Sequence, residues 1–295
     1  MDQISDRYSA VVVHKLSMIS IIGNLFLSAF KLFAGIFGRS GAMISDAVHS
    51  LSDVLATFIA WLGVRVSQKE ADASHPYGHE RFECVASLVL SVILAVTGVE
   101  IGKAGLEKIL SGQASALEIP RAIALVAAVV SILCKEAMYR YTIHYARKIH
   151  SPAFEADAWH HRSDALSSIG SLIGIGGAML GLPILDPIAS VIICLFIFKV
   201  AYDIMKDALD RMLDTSGGDE YDQKLMDFIA RQPDVLGVDV LHSRLFGSKV
   251  YVDLEIEVDG SLTLRDAHAV AEAVHSAVEQ EFPEIKHIMI HVNPA

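Results

Sequence analysis

Imidazole and carboxylate side chains recur in one spacing at three places in this chain of 295 residues. The pattern is Asp-x-x-His-x-x-x-(Asp/His). It occurs as Asp46, His49 and Asp53, as Asp157, His160 and Asp164, and as Asp72, His75 and His79. Neutral imidazole nitrogens and carboxylate oxygens are ligands for borderline divalent metals, and two of each make a four-donor set suited to tetrahedral Zn²⁺. On a helix, residues i, i+3 and i+7 share a face. Residues i and i+4 stand about 6 Å apart along the axis, close enough to reach one ion. His49 with Asp53, and His160 with Asp164, would therefore supply two nitrogens and two oxygens. Asp46 and Asp157 lie one turn from their histidines. They read equally well as outer-sphere or pathway residues and as solvated interfacial acids.

The elements that must carry these motifs are long and apolar. Hydrophobic residues make up 53% of the chain and charged residues only 20%, with a mean hydropathy of +0.43. A membrane-crossing helix needs roughly 20 mostly apolar residues. Six stretches qualify, at about 17–38, 42–66, 84–106, 119–141, 158–181 and 184–206. The second and fifth, the least apolar, hold the two helical motifs. An Asp at the bilayer centre costs about 2.5–3.5 kcal/mol, so Asp53 and Asp164 together cost about 5–7 kcal/mol, which argues for a functional use. The basic residues Arg65, Lys69, Arg81, Arg140, Arg147, Lys148, Lys206 and Arg211 fall on one side, against Arg39, Lys103, Lys108 and Arg121 on the other. By the positive-inside rule both termini are expected in the cytoplasm.

Other classes are disfavoured. A net charge of −11, from 24 basic and 35 acidic residues, argues against nucleic acid as a partner. Cys84, Cys134 and Cys194 are far apart and form no CxxC, so neither a disulfide framework nor a thiolate metal site is expected. The opening Met1-Asp2-Gln3-Ile4-Ser5-Asp6 lacks the basic region of a signal peptide.

Beyond about Asp214 the composition turns soluble. Asp222 to Arg231 reads as a helix, and Val238 to Leu245 as a strand. Phe246-Gly247-Ser248 reads as a hairpin turn leading into a strand through Val258. Leu264 to Gln280 is an amphipathic helix and Ile288 to Val292 a closing strand. The order αββαβ predicts a small sheet with helices on one face. The expected division is 1–210 for a six-span transmembrane domain and 211–295 for a cytoplasmic domain.

The paired HxxxD motifs, the six spans and the αββαβ tail resemble the cation diffusion facilitator family over nearly the whole chain. That resemblance implies a homodimeric, multi-pass metal/proton antiporter of the inner or cell membrane. Its fold would be a membrane α-helical six-helix bundle followed by a metallochaperone-like α+β domain, to which the resemblance assigns regulation and dimerisation. Its partners would be divalent metal ions, protons, the lipid bilayer and a second copy of the chain. His49, Asp53, His160 and Asp164 match the family's transport site, and Asp72, His75 and His79 a second site on the loop after span two. His242, Asp253, His268 and His291 correspond to a metal cluster in the tail. There the chain departs from the family's best-known pattern: Asp253 stands where His is common, and Asn293 where Asp is common. His275 and His287 read equally as surface residues. Arg81 and Asp214 match a salt bridge that holds the dimer's helices at the membrane surface.

The expected function is efflux of a divalent transition metal, Zn²⁺ by its donor set, with zinc also in a regulatory role. Fe²⁺, Co²⁺, Cd²⁺ and Mn²⁺ are the alternatives. No GxxxxGK[ST] motif supplies ATP, so proton exchange is the expected energy source. An intramembrane zinc hydrolase would want three ligands, an open position and a general base; His79-Glu80-Arg81-Phe82-Glu83 begins as HExxH but lacks the second His. No enzyme activity is expected. A membrane metal sensor or store would not require six spans with buried ligands.

Overall fold

The computed structural model describes residues 2–38, 41–110, 122–179 and 185–295. Six long helices come first: α1 (Asp2–Gly38), α2 (Gly41–Ser67), α3 (Phe82–Leu110), α4 (Ala122–Lys148), α5 (Pro152–Met179) and α6 (Leu185–Met212). Parts of the expected spans at 119–121, 180–181 and 184 lie outside the described residues. Several helices outrun their apolar stretches: α4 continues through Arg147 and Lys148, and α5 starts at Pro152. A helix keeps its backbone bonded whether its flank is lipid or water, so apolar length marks the membrane and not the helix.

The bundle is apolar outside and polar within. Phe26, Phe33, Phe37, Leu55, Leu133 and Leu195 are exposed, whereas Asn24, Lys31, Asp53, Thr57, Lys135, Asp157, His160, His161 and Asp164 are buried. That inversion fits lipid as the surrounding solvent. Among the described residues, two helices contain a stretch both long and apolar enough to cross a membrane on composition alone, Val11–Ala34 and Phe82–Glu107.

Helix α5 is the hub. It packs on α2, α3, α4 and α6, while α1 packs on α2 and α4. Nearly every residue from Ser151 to Ala165 is accordingly buried, whatever face it occupies. Helices α3 and α6 approach closely at small residues: a Cβ on Gly102 would lie 2.5 Å from Cys194 Sγ.

The tail is α7 (Asp219–Ile229), β1 (Gly237–Phe246), β2 (Lys249–Val258), α8 (Leu264–Glu281) and β3 (Ile285–Pro294). Strand order is β1-β2-β3, with β1–β2 antiparallel and β2–β3 parallel. Val250, Val252, Leu254, Ile256 and Val258 meet Leu225, Ile229, Val274 and Val278 in one core, so both helices cover the same face. Both α7 and β3 begin three residues earlier than expected. The acids of α7's first turn suit a helix N-terminus, and β3 extends by pairing Ile285 with Val250.

Candidate metal centre

Asp53 and Thr57, one turn apart on α2, face α5. His160 Nε2 lies 3.3 Å from Asp53 Oδ1. Asp53, His160 and Asp164 are all buried, and one ligand atom from each falls within 4.8 Å of the others. The i, i+4 spacing of His160 and Asp164 aims both inward from α5, and α2 brings Asp53 to meet them. The side chain of His49, the fourth expected donor, lies outside the described residues, as does that of Asp46. Asp157 is buried beside the centre and accepts from Thr57 Oγ1 at 3.0 Å. Its role is therefore a tie between α5 and α2, not that of an interfacial acid. His161, on the next face, lies 3.7 Å from Asp157 and 3.3 Å from Ser20 Oγ of α1.

Sequence reasoning missed Lys135 of α4. Its ammonium donates to Asp164 Oδ2 at 2.8 Å and also to Asp53 Oδ2, bridging carboxylates from two helices. The signal was present in the chain, because an ionisable residue inside an apolar span is costly and marks a functional site.

Asp72, His75 and His79 form a second cluster with ligand atoms within 4.8 Å. Asp72 is 3.4 Å from His75 Nδ1 and 3.4 Å from His79 Nε2. The segment is a loop, as Pro76 and Gly78 require, with Gly78 at φ 98. Asp72 accepts the amides of Ser74 and His75 at 2.8 Å each. The His75 amide, foremost, holds the carboxyl below its ordinary range. His79 is buried, while Asp72 and His75 are exposed. Both imidazoles line a cavity of about 480 Å³ with Arg244, Phe246 and Tyr251 of the tail.

In the tail, His242 and Asp253 are partners across β1 and β2 and share the face away from the helices. His291 pairs with Glu255 on that same outer face. His268 instead projects from α8, 71% exposed and 3.6 Å from Glu272. Among the described residues, none of these four belongs to a cluster of three or more potential ligands within one chain. Asn293 donates to Asp239 at 2.8 Å and to Glu255 at 3.2 Å. Arg81 and Asp214 are joined in an ion pair.

Residues 17–213 match the cation efflux transmembrane domain, and residues 218–295 the cytoplasmic domain of cation efflux proteins. The chain belongs to the cation diffusion facilitator family, a family of transporters and not of enzymes, and it is a membrane transporter of divalent metal cations. It is 35% identical to an uncharacterized transporter of Methanocaldococcus jannaschii, over 95% of this chain and 98% of that one. It is 33% identical to the manganese efflux system protein MneS of Bacillus subtilis, over 94% of each. To the magnetosome protein MamB of a Magnetospira species it is 32% identical, over 92% of each. The tail is similar to the manganese form of a MamM C-terminal domain, 30% identical over 26% of this chain and 98% of that one, at a TM-score of 0.25.

Proposed function

We propose that this transporter exports Zn²⁺ from the cytoplasm in exchange for protons, through a site built from His49, Asp53, His160 and Asp164. The observation that carries the reading is the convergence of Asp53, His160 and Asp164 at the buried contact of α2 and α5. Buried acids there are expensive in lipid, and a divalent cation is what they would neutralise. Moving two charges out of a negative-inside cell costs about 4.6 kcal/mol per 100 mV, and each proton entering returns about 2.3 kcal/mol per 100 mV plus any pH gradient. Imidazoles bind metal only when neutral, so metal uptake releases protons and couples the two flows.

Asp72, His75 and His79 serve as a second, cytoplasmic zinc site. His242, Asp253, His268 and His291 serve as a regulatory site completed between two copies of the tail, since one copy keeps His268 in a different layer from the rest. The Arg81–Asp214 pair braces the two domains, 1–210 and 211–295, in a homodimer with both termini in the cytoplasm. Mn²⁺ is a second reading, favoured by two relatives named as manganese efflux proteins. Its harder character suits a site weighted towards carboxylates.

The test is flux into proteoliposomes under an imposed pH gradient, read with metal-sensitive dyes for each ion. Asp53→Ala and Asp164→Ala should each abolish flux while the protein stays folded. Normal flux in both variants would defeat the site assignment.

A further inference from the structure

Lys135 is among the largest fully buried side chains of the described residues, and it lies between the two carboxylates proposed to take the metal. A zinc ion bound to both would sit about 2.0–2.2 Å from each oxygen. Lys135 Nζ stands 2.8 Å from Asp164 Oδ2 and also donates to Asp53 Oδ2, so it fills the gap that such an ion would occupy. One ammonium and one divalent ion cannot share those oxygens. Both sterics and like charge forbid it.

We propose that the Lys135 ammonium is a tethered counter-cation, which holds Asp53 and Asp164 together whenever the metal has left and competes with the metal for them. The inference rests on the transport-site reading above. An empty carrier must cross back with two carboxylates in a low-dielectric interior, and a permanently attached cation offsets their charge without leaving the protein. The same cation weakens metal binding, which favours release on the far side. The lysine stem, with its four flexible carbons, lets the head swing when metal arrives. Ser131 Oγ, one turn earlier on the same face of α4, is buried without a hydrogen-bond partner and offers it an acceptor.

Two substitutions should act in opposite directions. Lys135→Gln removes the competitor, so Zn²⁺ should bind the membrane site at least tenfold more tightly, while steady-state efflux slows at least fivefold. Lys135→Arg holds both carboxylates in a planar fork, so Zn²⁺ affinity should fall at least tenfold. Affinities are measured by calorimetric titration of the full-length protein in detergent with ZnCl₂ at one fixed pH. His75→Ala and His79→Ala are present in every sample, and the membrane site is defined as the binding lost in Asp53→Asn. Tightening by Gln and weakening by Arg support the proposal, and damage to packing would not produce opposite signs. Unchanged or weaker binding in Lys135→Gln overturns it while the transport-site reading stands. If Lys135→Gln does not fold, unchanged or tighter binding in Lys135→Arg overturns it alone. If Asp53→Asn and Asp164→Asn both bind and transport zinc normally, the transport-site reading fails and the proposal falls with it.

Discussion

Asp72, His75 and His79, the proposed loop site, are held unequally. Asp72 is oriented by two backbone amides, and the same bonds keep its carboxyl below the ordinary range. A carboxyl shifted that way loses its charge only as pH falls through its lowered value. Asp72 therefore stays ionised from pH 8 to 5. In an Asp53→Ala background, Asp72→Ala should lower zinc affinity of the loop at least tenfold at pH 7.5, measured by calorimetry. Unchanged affinity would mean that the carboxylate is not a ligand. His79→Ala should lower loop affinity at least tenfold at pH 7.5, because the buried ring is the one donor held by packing as well as by Asp72.

Helix pairs are set by where backbones can approach. On α3, Gly98 lies under Ile197 of α6, and Gly102 under Cys194. A Cβ at Gly102 would fall 2.5 Å from the cysteine sulfur, so in Gly102→Ala the thiol must turn aside or the helices must part, at a cost of about 1–3 kcal/mol. The melting temperature of the purified protein in detergent should fall in Gly102→Ala, and adding Cys194→Ala should restore most of it. Without that recovery, the clash is not what matters. The same logic explains α5. A helix with neighbours on four sides has no lipid face in its first half, so it can hold Asp157, His160, His161 and Asp164 where an outer helix would present some of them to hydrocarbon.

Across the whole molecule, the loop and the start of α3 are clasped by the tail. Glu80 pairs with Lys286, and Tyr251 donates its hydroxyl to the Tyr77 carbonyl at 2.8 Å. Burial pushes that phenol up to about 12, so it remains a donor at any cellular pH. Arg81 stacks over Phe246 at 4.6 Å while pairing with Asp214; the pair is half-exposed and worth at most about 1 kcal/mol by itself. Arg211 closes the clasp at the hairpin by donating to the Gly247 carbonyl at 3.0 Å. Gly247 has φ 64, and a Cβ there would come within 2.3 Å of the Glu80 carbonyl oxygen. Gly247→Ala should therefore lift the hairpin from the loop. Amide exchange should rise at least tenfold across 77–83 and 245–251, with protection in the core of the tail unchanged. Equal exchange in both proteins would show that the clasp does not hold the two parts together.

Much of this was legible in the chain itself. Six apolar runs and a tail of alternating strands define the elements, because helix and strand periods are local properties. HxxxD on α2 and on α5 names the candidate ligands for the same reason: an i, i+4 spacing puts two side chains on one face whatever surrounds the helix. Register and partnership are not local. That Asp53 meets His160, that Asp157 ties to Thr57, and that His268 stands in a different layer from His242 depend on which helices and strands become neighbours. Lys135 shows the difference most sharply. In the chain it is one of several charges in an apolar span, and only the packing of α4 on α5, and of α5 on α2, delivers its ammonium to carboxylates 82 and 29 residues away. Local spacing determines which groups can act together on one element, and tertiary packing decides which opposite charges must share a site in the absence of water.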